Sequence, residues 1–295
     1  MDAGGERTIT SLKIDVIFKR FFTDENNIDL LKHFLSALLS IDYDTITDIR
    51  VENPEMVPDA SDGKTTRFDI HLFTGSEYII IEMQMVNVGY FEDRTLYYWA
   101  RKFSSQLKKG DAYGKLKPTV SINIMDFSLF DTEDYHSMYT VADMKHGNVL
   151  SDKCAIHYFE LSKIDKDIDA NNKAKLWLQL IKAESEGDLD MLERAAIPEI
   201  ASGVQEVKRY SSDTAMRIMA EEREKAIRDY ISSQIYYREK GLEEGRAEGR
   251  AEGRAEGRAE GRAEGRNEVL EALAKRYREK GMSESEIAEL LSFGE

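Results

Sequence analysis

Two short stretches, Arg67–Phe73 and Tyr78–Met85, place apolar residues at every second position and are separated only by Thr74, Gly75, Ser76 and Glu77. That is the pattern of a β-hairpin with one buried face. With Gly75 and Ser76 as the central residues of a type II′ turn, cross-strand partners have numbers that sum to 151. Phe68, Ile70, Leu72, Ile79, Ile81, Met83 and Met85 then share a continuous apolar face that must be covered, and this specifies the register. On the opposite face Asp69 lies across from Glu82, with Gln84 two residues beyond and His71 beside them. His71 is expected to be a hydrogen-bonded surface histidine.

Directly opposed side chains have Cβ atoms about 4.5–5.5 Å apart, and like charges at that distance destabilise a sheet. Keeping Asp69 and Glu82 together therefore calls for a shared proton or a cation. A hard divalent ion such as Mg²⁺, or Mn²⁺ in its place, suits two carboxylates that leave room for phosphate oxygens. The alternative is a longer turn with another register, in which both acids are ordinary exposed strand residues.

The rest of the chain builds an α/β arrangement around this hairpin. Residues 12–40 carry Phe18, Phe21 and Phe22, then Ile28, Leu31, Phe34, Leu35, Leu38 and Leu39 at helical spacing after Asn26 and Asn27. Thr45–Val51 reads as a short strand. Glu92–Lys109 reads as a helix with Leu96, Trp99, Ala100, Phe103 and Leu107 on its apolar face and Gly110 as C-cap. Val120, Ile122 and Ile124 mark another strand, so the prediction is a mixed sheet with helices on both faces. Beyond Phe130 the pattern weakens to a strand at His157–Leu161 and helices at Lys173–Lys182, Leu189–Ala196 and Thr214–Lys240.

Residues 245–266 repeat Gly-Arg-Ala-Glu without error. A four-residue period puts like charges at i,i+4, where they repel, and each glycine costs a helix about 1 kcal/mol. The array is thus expected to be a solvated, partly helical spacer; the other reading is a small-residue helix stabilised by self-association. Val269, Leu270, Leu273, Ala274 and Tyr277, followed by the Ser283/Glu286 capping box, predict a terminal helical hairpin suited to oligomerisation.

Acidic residues number 56 against 41 basic ones, a net charge of −15, so the molecule as a whole repels polyanions. Any nucleic-acid contact must come from a local patch. Arg94, Arg101, Lys102, Lys108, Lys109, Lys115 and Lys117, with Asp111 the only acid among them, supply one of net charge +6. Arg94, Tyr98, Arg101 and Ser105 recur at i, i+4, i+7 and i+11 and form an outward stripe suited to phosphate contacts. One cysteine, Cys154, excludes an internal disulfide, and the polar first ten residues and lack of a long apolar run predict a cytoplasmic chain with no membrane span.

Arg67-Phe68-Asp69-Ile70 followed by Tyr78-Ile79-Ile80-Ile81-Glu82-Met83-Gln84-Met85 resembles the Asp…Glu-x-Lys core of PD-(D/E)XK phosphodiesterases, with Gln where Lys usually stands. Lys13–Phe22, Arg94–Tyr113 and Lys117–Phe127 extend the likeness to the PD-(D/E)XK nuclease family transposases, also called recombination-promoting nucleases, over residues 11–160. The resemblance implies a restriction-endonuclease-like fold that cuts DNA with Mg²⁺ or Mn²⁺. It assigns Asp69 and Glu82 as metal ligands, Gln84 to the Lys position, and Asp15 and Lys19 as accessory residues. Arg94, Tyr98, Arg101, Lys102, Lys108 and Lys109 are the expected DNA contacts, and Lys102 or Lys109 is positioned to return the charge that Gln84 lacks. The alternative is a nuclease-derived DNA- or protein-binding module in which the Gln84 replacement has abolished turnover. The expected organisation is a nuclease-like domain at 11–160, a helical extension at 161–240, the repeat spacer at 241–266 and the helical hairpin at 267–295, assembled as a homo-oligomer.

Overall fold

The computed structural model describes residues 8–52, 55–56, 66–67, 69–87 and 89–292; the expected place of Phe68 on the apolar face lies outside them. The chain divides into two compact units, residues 1–226 and 227–295.

The first unit holds a six-stranded mixed sheet. Its strands are β1 (Arg50–Val51), β4 (Ile70–Phe73), β5 (Tyr78–Gln84), β6 (Thr119–Met125), β7 (His136–Tyr139) and β8 (Cys154–Glu160), in spatial order β1-β4-β5-β6-β8-β7. A separate two-stranded ladder joins β2 (Glu55–Met56) to β3 (Thr66–Arg67). The hairpin register is the expected one: Ile70 faces Ile81, His71 faces Ile80, Leu72 faces Ile79 and Phe73 faces Tyr78. Gly75 takes the positive φ of 86° that the turn requires, and the Thr74 N–H donates to the Glu77 carbonyl at 3.0 Å. β5, β6 and β8 run parallel, and β7 closes the far edge antiparallel to β8.

Odd-numbered residues of β5 and even-numbered residues of β6 point to the main core. There Ile79, Ile81, Met83, Val120, Ile122 and Ile124 meet helices α1 (Asp15–Thr23), α2 (Ile28–Leu39), α4 (Lys173–Lys182), α5 (Glu186–Glu193) and α6 (Pro198–Ser212). The helices start where the sequence supplies caps. The Asn172 side chain accepts from the Lys175 N–H at α4, Ser185 and Asp188 form a capping box at α5, and Pro198 opens α6. Trp177 of α4 is fully buried among Phe22 and Phe34, with ring centroids 6.2 and 5.8 Å away. Helices α4 and α6 pack on α2, so residues 161–226 share one common core with α1 and α2.

Helix α3 (Phe91–Ser104) covers the other sheet face, and its orientation differs from the sequence reading. The expected apolar stripe is turned inward only in part: Trp99 packs against a second buried cluster and Phe103 is half-buried, but Leu96 is 55% exposed and Ala100 is exposed, whereas Phe91, Thr95 and Lys102 are buried. The cause lies in the sheet beneath. That face presents His71, Thr119, Ser121 and Asn123, all buried, so the helix turns hydrogen-bonding groups inward. Thr95 Oγ1 meets Asn123 Oδ1 at 3.2 Å and Trp99 Nε1 donates to the Thr119 carbonyl at 2.8 Å. α3 also ends earlier than expected, with its C-cap at Ser105, so Gly110 lies in the following loop. The strand expected at Thr45–Val51 shrinks to Arg50–Val51 behind a 3₁₀ turn at Tyr43–Thr45.

Helix α7 (Thr214–Glu279) is continuous through the Gly-Arg-Ala-Glu array, where a partly helical spacer was expected. Every residue from 245 to 266 is exposed, so no buried contact with the described residues supports the array. In the second unit α7 is followed by α8 (Glu284–Ser292), with Gly281 at φ 86° in the turn between them. Ala274 and Ile287 are buried there, and the capping box forms with the Ser283 N–H donating to Glu286 Oε2 at 2.9 Å and the Glu286 N–H donating to Ser283 Oγ at 3.5 Å. Among the described residues no helix is long and apolar enough to cross a membrane.

Candidate active site

Asp69 and Glu82 sit where the antiparallel pairing of β4 with β5 gives out. The last ladder pair is Ile70 with Ile81, and one step further the Asp69 carboxylate itself accepts the Met83 N–H at 2.7 Å. Burial pushes the Asp69 carboxyl up to about 6. The Met83 N–H opposes that rise, the Asp15 charge adds to it, and Lys19 and Arg223 oppose it.

Glu82 keeps a partly exposed edge, but its Oε1 atom is sealed from solvent and has no hydrogen-bond partner among the described residues. Its carboxyl is held well above the usual carboxylate range by burial first and by the Asp69 charge second, with Arg94 and the Asp69 N–H opposing. An acid in that position either keeps its proton or meets a cation.

Three cationic side chains surround the pair. Arg94, from the first turn of α3, donates from Nη2 to Gln84 Oε1 at 2.8 Å and stacks on Phe91 with its guanidinium carbon 4.9 Å from the ring centroid. A tight turn delivers it: Gly89 and Tyr90 both have positive φ, 78° and 55°. Gln84 uses its other end as well, donating from Nε2 to the Val86 carbonyl at 3.1 Å. The Lys19 charge on α1 favours the ionised form of Asp69. Arg223, near the start of α7, forms a two-bond fork with Asp15. Tyr98 completes the wall, its hydroxyl pKa raised by burial and then by Glu82.

Not every expected residue joins this group. Lys102 is 6% exposed and turned inward, where Nζ donates to Glu52 Oε2 at 3.1 Å and lies 3.8 Å from the centroid of the Tyr78 ring. This contact engages Lys102 with Glu52 rather than leaving it on the outward stripe. His71, expected at the surface, is 3% exposed, with Nε2 3.3 Å from the same Glu52 oxygen. Arg101 donates to the Tyr97 hydroxyl at 3.1 Å, and Lys108 and Lys109 are exposed in the loop after α3. Glu52 and Arg223 went unremarked in the sequence, because no local spacing connects either residue to the hairpin.

Residues 12–236 match the family model described as PD-(D/E)XK nuclease family transposase. The chain belongs to that family. The sheet and its flanking helices accordingly form a restriction-endonuclease-like fold, and membership in the PD-(D/E)XK nuclease family transposases supports a nuclease- or transposase-like function with DNA as substrate class. No curated protein and no solved structure matches the chain significantly.

Divalent metals generally serve these nucleases. Among the described residues no three His, Cys, Asp or Glu side chains assemble as a metal-binding group, and Asp69 with Glu82 is the candidate donor pair. The pair fits a hard cation: both donors are carboxylate oxygens, and the enclosed Glu82 Oε1 lacks any other partner.

Proposed function

We propose that the protein is a metal-dependent DNA endonuclease serving transposition, recombination or defence against foreign DNA. The observation that carries this reading is the enclosed, partnerless Glu82 Oε1 beside the proton-seeking Asp69. Asp69 and Glu82 would hold Mg²⁺ or Mn²⁺, which when bound supplies Lewis acidity toward the scissile phosphate.

Gln84 does not act as a substitute lysine. Both ends of its amide are engaged, one by Arg94 and one by the Val86 carbonyl, so its part is to aim the Arg94 guanidinium. Arg94 thereby brings to the site the positive charge that a Lys at position 84 would otherwise supply, and its planar fork suits a phosphate. Lys19 gives a second positive edge on the α1 side. Tyr98 and Arg101 continue the surface along α3, and Lys108 and Lys109 extend it into the exposed loop. The C-terminal helices are the proposed seat of homo-oligomerisation.

The test is incubation of purified protein with supercoiled plasmid at low salt in Mg²⁺, Mn²⁺ or EDTA. Nicking that requires the metal is expected. A folded protein that retains DNA but never cuts it in either metal would replace this reading with that of a binding module.

The loop lysines have a separate expected signature. Replacing Lys108 and Lys109 together by Gln should weaken DNA retention evenly across sequences and reduce the slope of log affinity against log salt by about 2. A fluorescence-anisotropy salt titration measures this, and an unchanged slope would remove the loop from the DNA surface.

A further inference from the structure

One face of α3 carries aromatic and cationic side chains in alternation. At about 100° per residue, Tyr90, Arg94, Tyr97, Tyr98 and Arg101 fall within a band of about 100°, while Glu92 and Asp93 fall outside it. The band adjoins the carboxylate pair, because Arg94 reaches Gln84, two residues beyond Glu82 on the same strand face. Tyr90 is 84% exposed, and among the described residues its side chain makes no hydrogen bond, ion pair or ring contact. It also stands at φ 55°, where a Cβ is disfavoured, so the chain keeps a large ring in solvent at a conformational cost. Tyr97 is exposed as well, with its hydroxyl held by Arg101 and its ring beside that of Tyr98, centroids 6.3 Å apart. The loop after α3 repeats the combination, with Tyr113 83% exposed four residues after the exposed Lys109.

We propose that this face of α3 grips a single-stranded tract of the DNA substrate, with unpaired bases stacked on Tyr90 and Tyr97 and the backbone held by Arg94 and Arg101. This rests on the reading of the carboxylate pair as a site that acts on DNA. Every base has a π-face, so a ring offered to solvent takes any unpaired base without reading its sequence. In an intact duplex those faces are covered by neighbouring bases, which follow one another at about 3.4 Å along each strand and leave no gap for a ring. Tyr90 and Tyr97 are about 10 Å apart along the helix, so the two rings meet different nucleotides. A duplex would be held by the guanidiniums alone, whereas a strand already unpaired near the scissile phosphate engages both kinds of side chain.

The experiment measures binding to the full-length chain by fluorescence anisotropy at low salt in EDTA, which prevents cutting. The probes are an oligothymidine strand of about 16 nucleotides and a blunt duplex of the same length. The single strand should bind about tenfold more tightly than the duplex. Tyr90→Gly relieves the backbone and should melt no lower than the unaltered chain. Even so, Tyr90→Gly and Tyr97→Leu should each weaken strand binding about tenfold and leave duplex binding within about twofold. Tyr90→Phe keeps the ring and should bind the strand as the unaltered chain does. The proposal is overturned if the duplex binds as tightly as the strand, or if Tyr90→Gly or Tyr97→Leu binds the strand as the unaltered chain does. It is also overturned if Tyr90→Phe loses as much as Tyr90→Gly, since the hydroxyl rather than the ring would then make the contact. Retention of neither probe would instead defeat the reading of α3 as a DNA surface, and the proposal with it. Thermal melts of each variant in EDTA identify any chain that is not folded.

Discussion

Glu82→Gln should slow DNA cleavage on the order of 10³-fold and, in the absence of metal, make the protein more stable at pH 8. The loss of activity follows from removing one of two cation-holding carboxylates, which costs several kcal/mol of transition-state stabilisation at about 1.4 kcal/mol per tenfold. The gain in stability follows from the same geometry. An unfolded chain ionises Asp69 near pH 4, whereas in the folded protein burial and neighbouring acids hold that proton until about pH 6. The folded state thus binds the proton more readily, and stability from this group is lost as pH rises from about 4 through 6 and stays lost above.

A neutral amide at position 82 removes the carboxylate that opposes Asp69 and the acid that is itself pushed upward. The difference between the two chains should therefore widen from pH 4 to pH 8 and reach on the order of 1–3 kcal/mol. Thermal denaturation in EDTA across that range measures it. A Gln variant that melts below the unaltered chain at pH 8 would contradict the account of the pair. Saturating Mn²⁺ should reverse the order, because it stabilises only the chain that binds it.

Arg94→Met should reduce cleavage about 100-fold with the metal affinity of the site little altered, because a charge aimed at the phosphate is worth about 3 kcal/mol in such sites. Arg94→Lys should recover only part of the loss, since a single ammonium cannot keep the Gln84 bond and face a phosphate in the same geometry. Single-turnover rates at saturating metal check this. Cleavage by Arg94→Met within about threefold of the unaltered chain would mean that the missing lysine charge is not replaced from α3.

The hairpin and its carboxylate pair were legible in the sequence because a period-two pattern and one obligatory glycine leave a single register in which the apolar face is buried. The orientation of α3 was not, because helix periodicity reports an apolar stripe without saying whether the surface opposite is apolar. Here β6 offers Thr119, Ser121 and Asn123, so Leu96 is left outside while Lys102 goes in. Glu52 and Arg223 were invisible for another reason: each acts at long range, Arg223 on Asp15 across 208 positions. β7 escaped because it is a short, largely exposed edge strand, and α6 because its narrow stripe of Ile200, Val204, Val207 and Tyr210 is set among Gly203 and polar residues.

One strand carries two chemistries on alternate residues. In β5, Ile79, Ile81 and Met83 belong to the main core, while Glu82 and Gln84 belong to the polar side beneath α3, where Ile80 is also buried. Damage from residue 81 to residue 84 is therefore partitioned by parity. In a saturation screen scored for both soluble yield and DNA cutting, odd positions should register first as lost protein and positions 82 and 84 as intact protein that no longer cuts. Neighbours 3.3 Å apart along the backbone would thus answer to different assays.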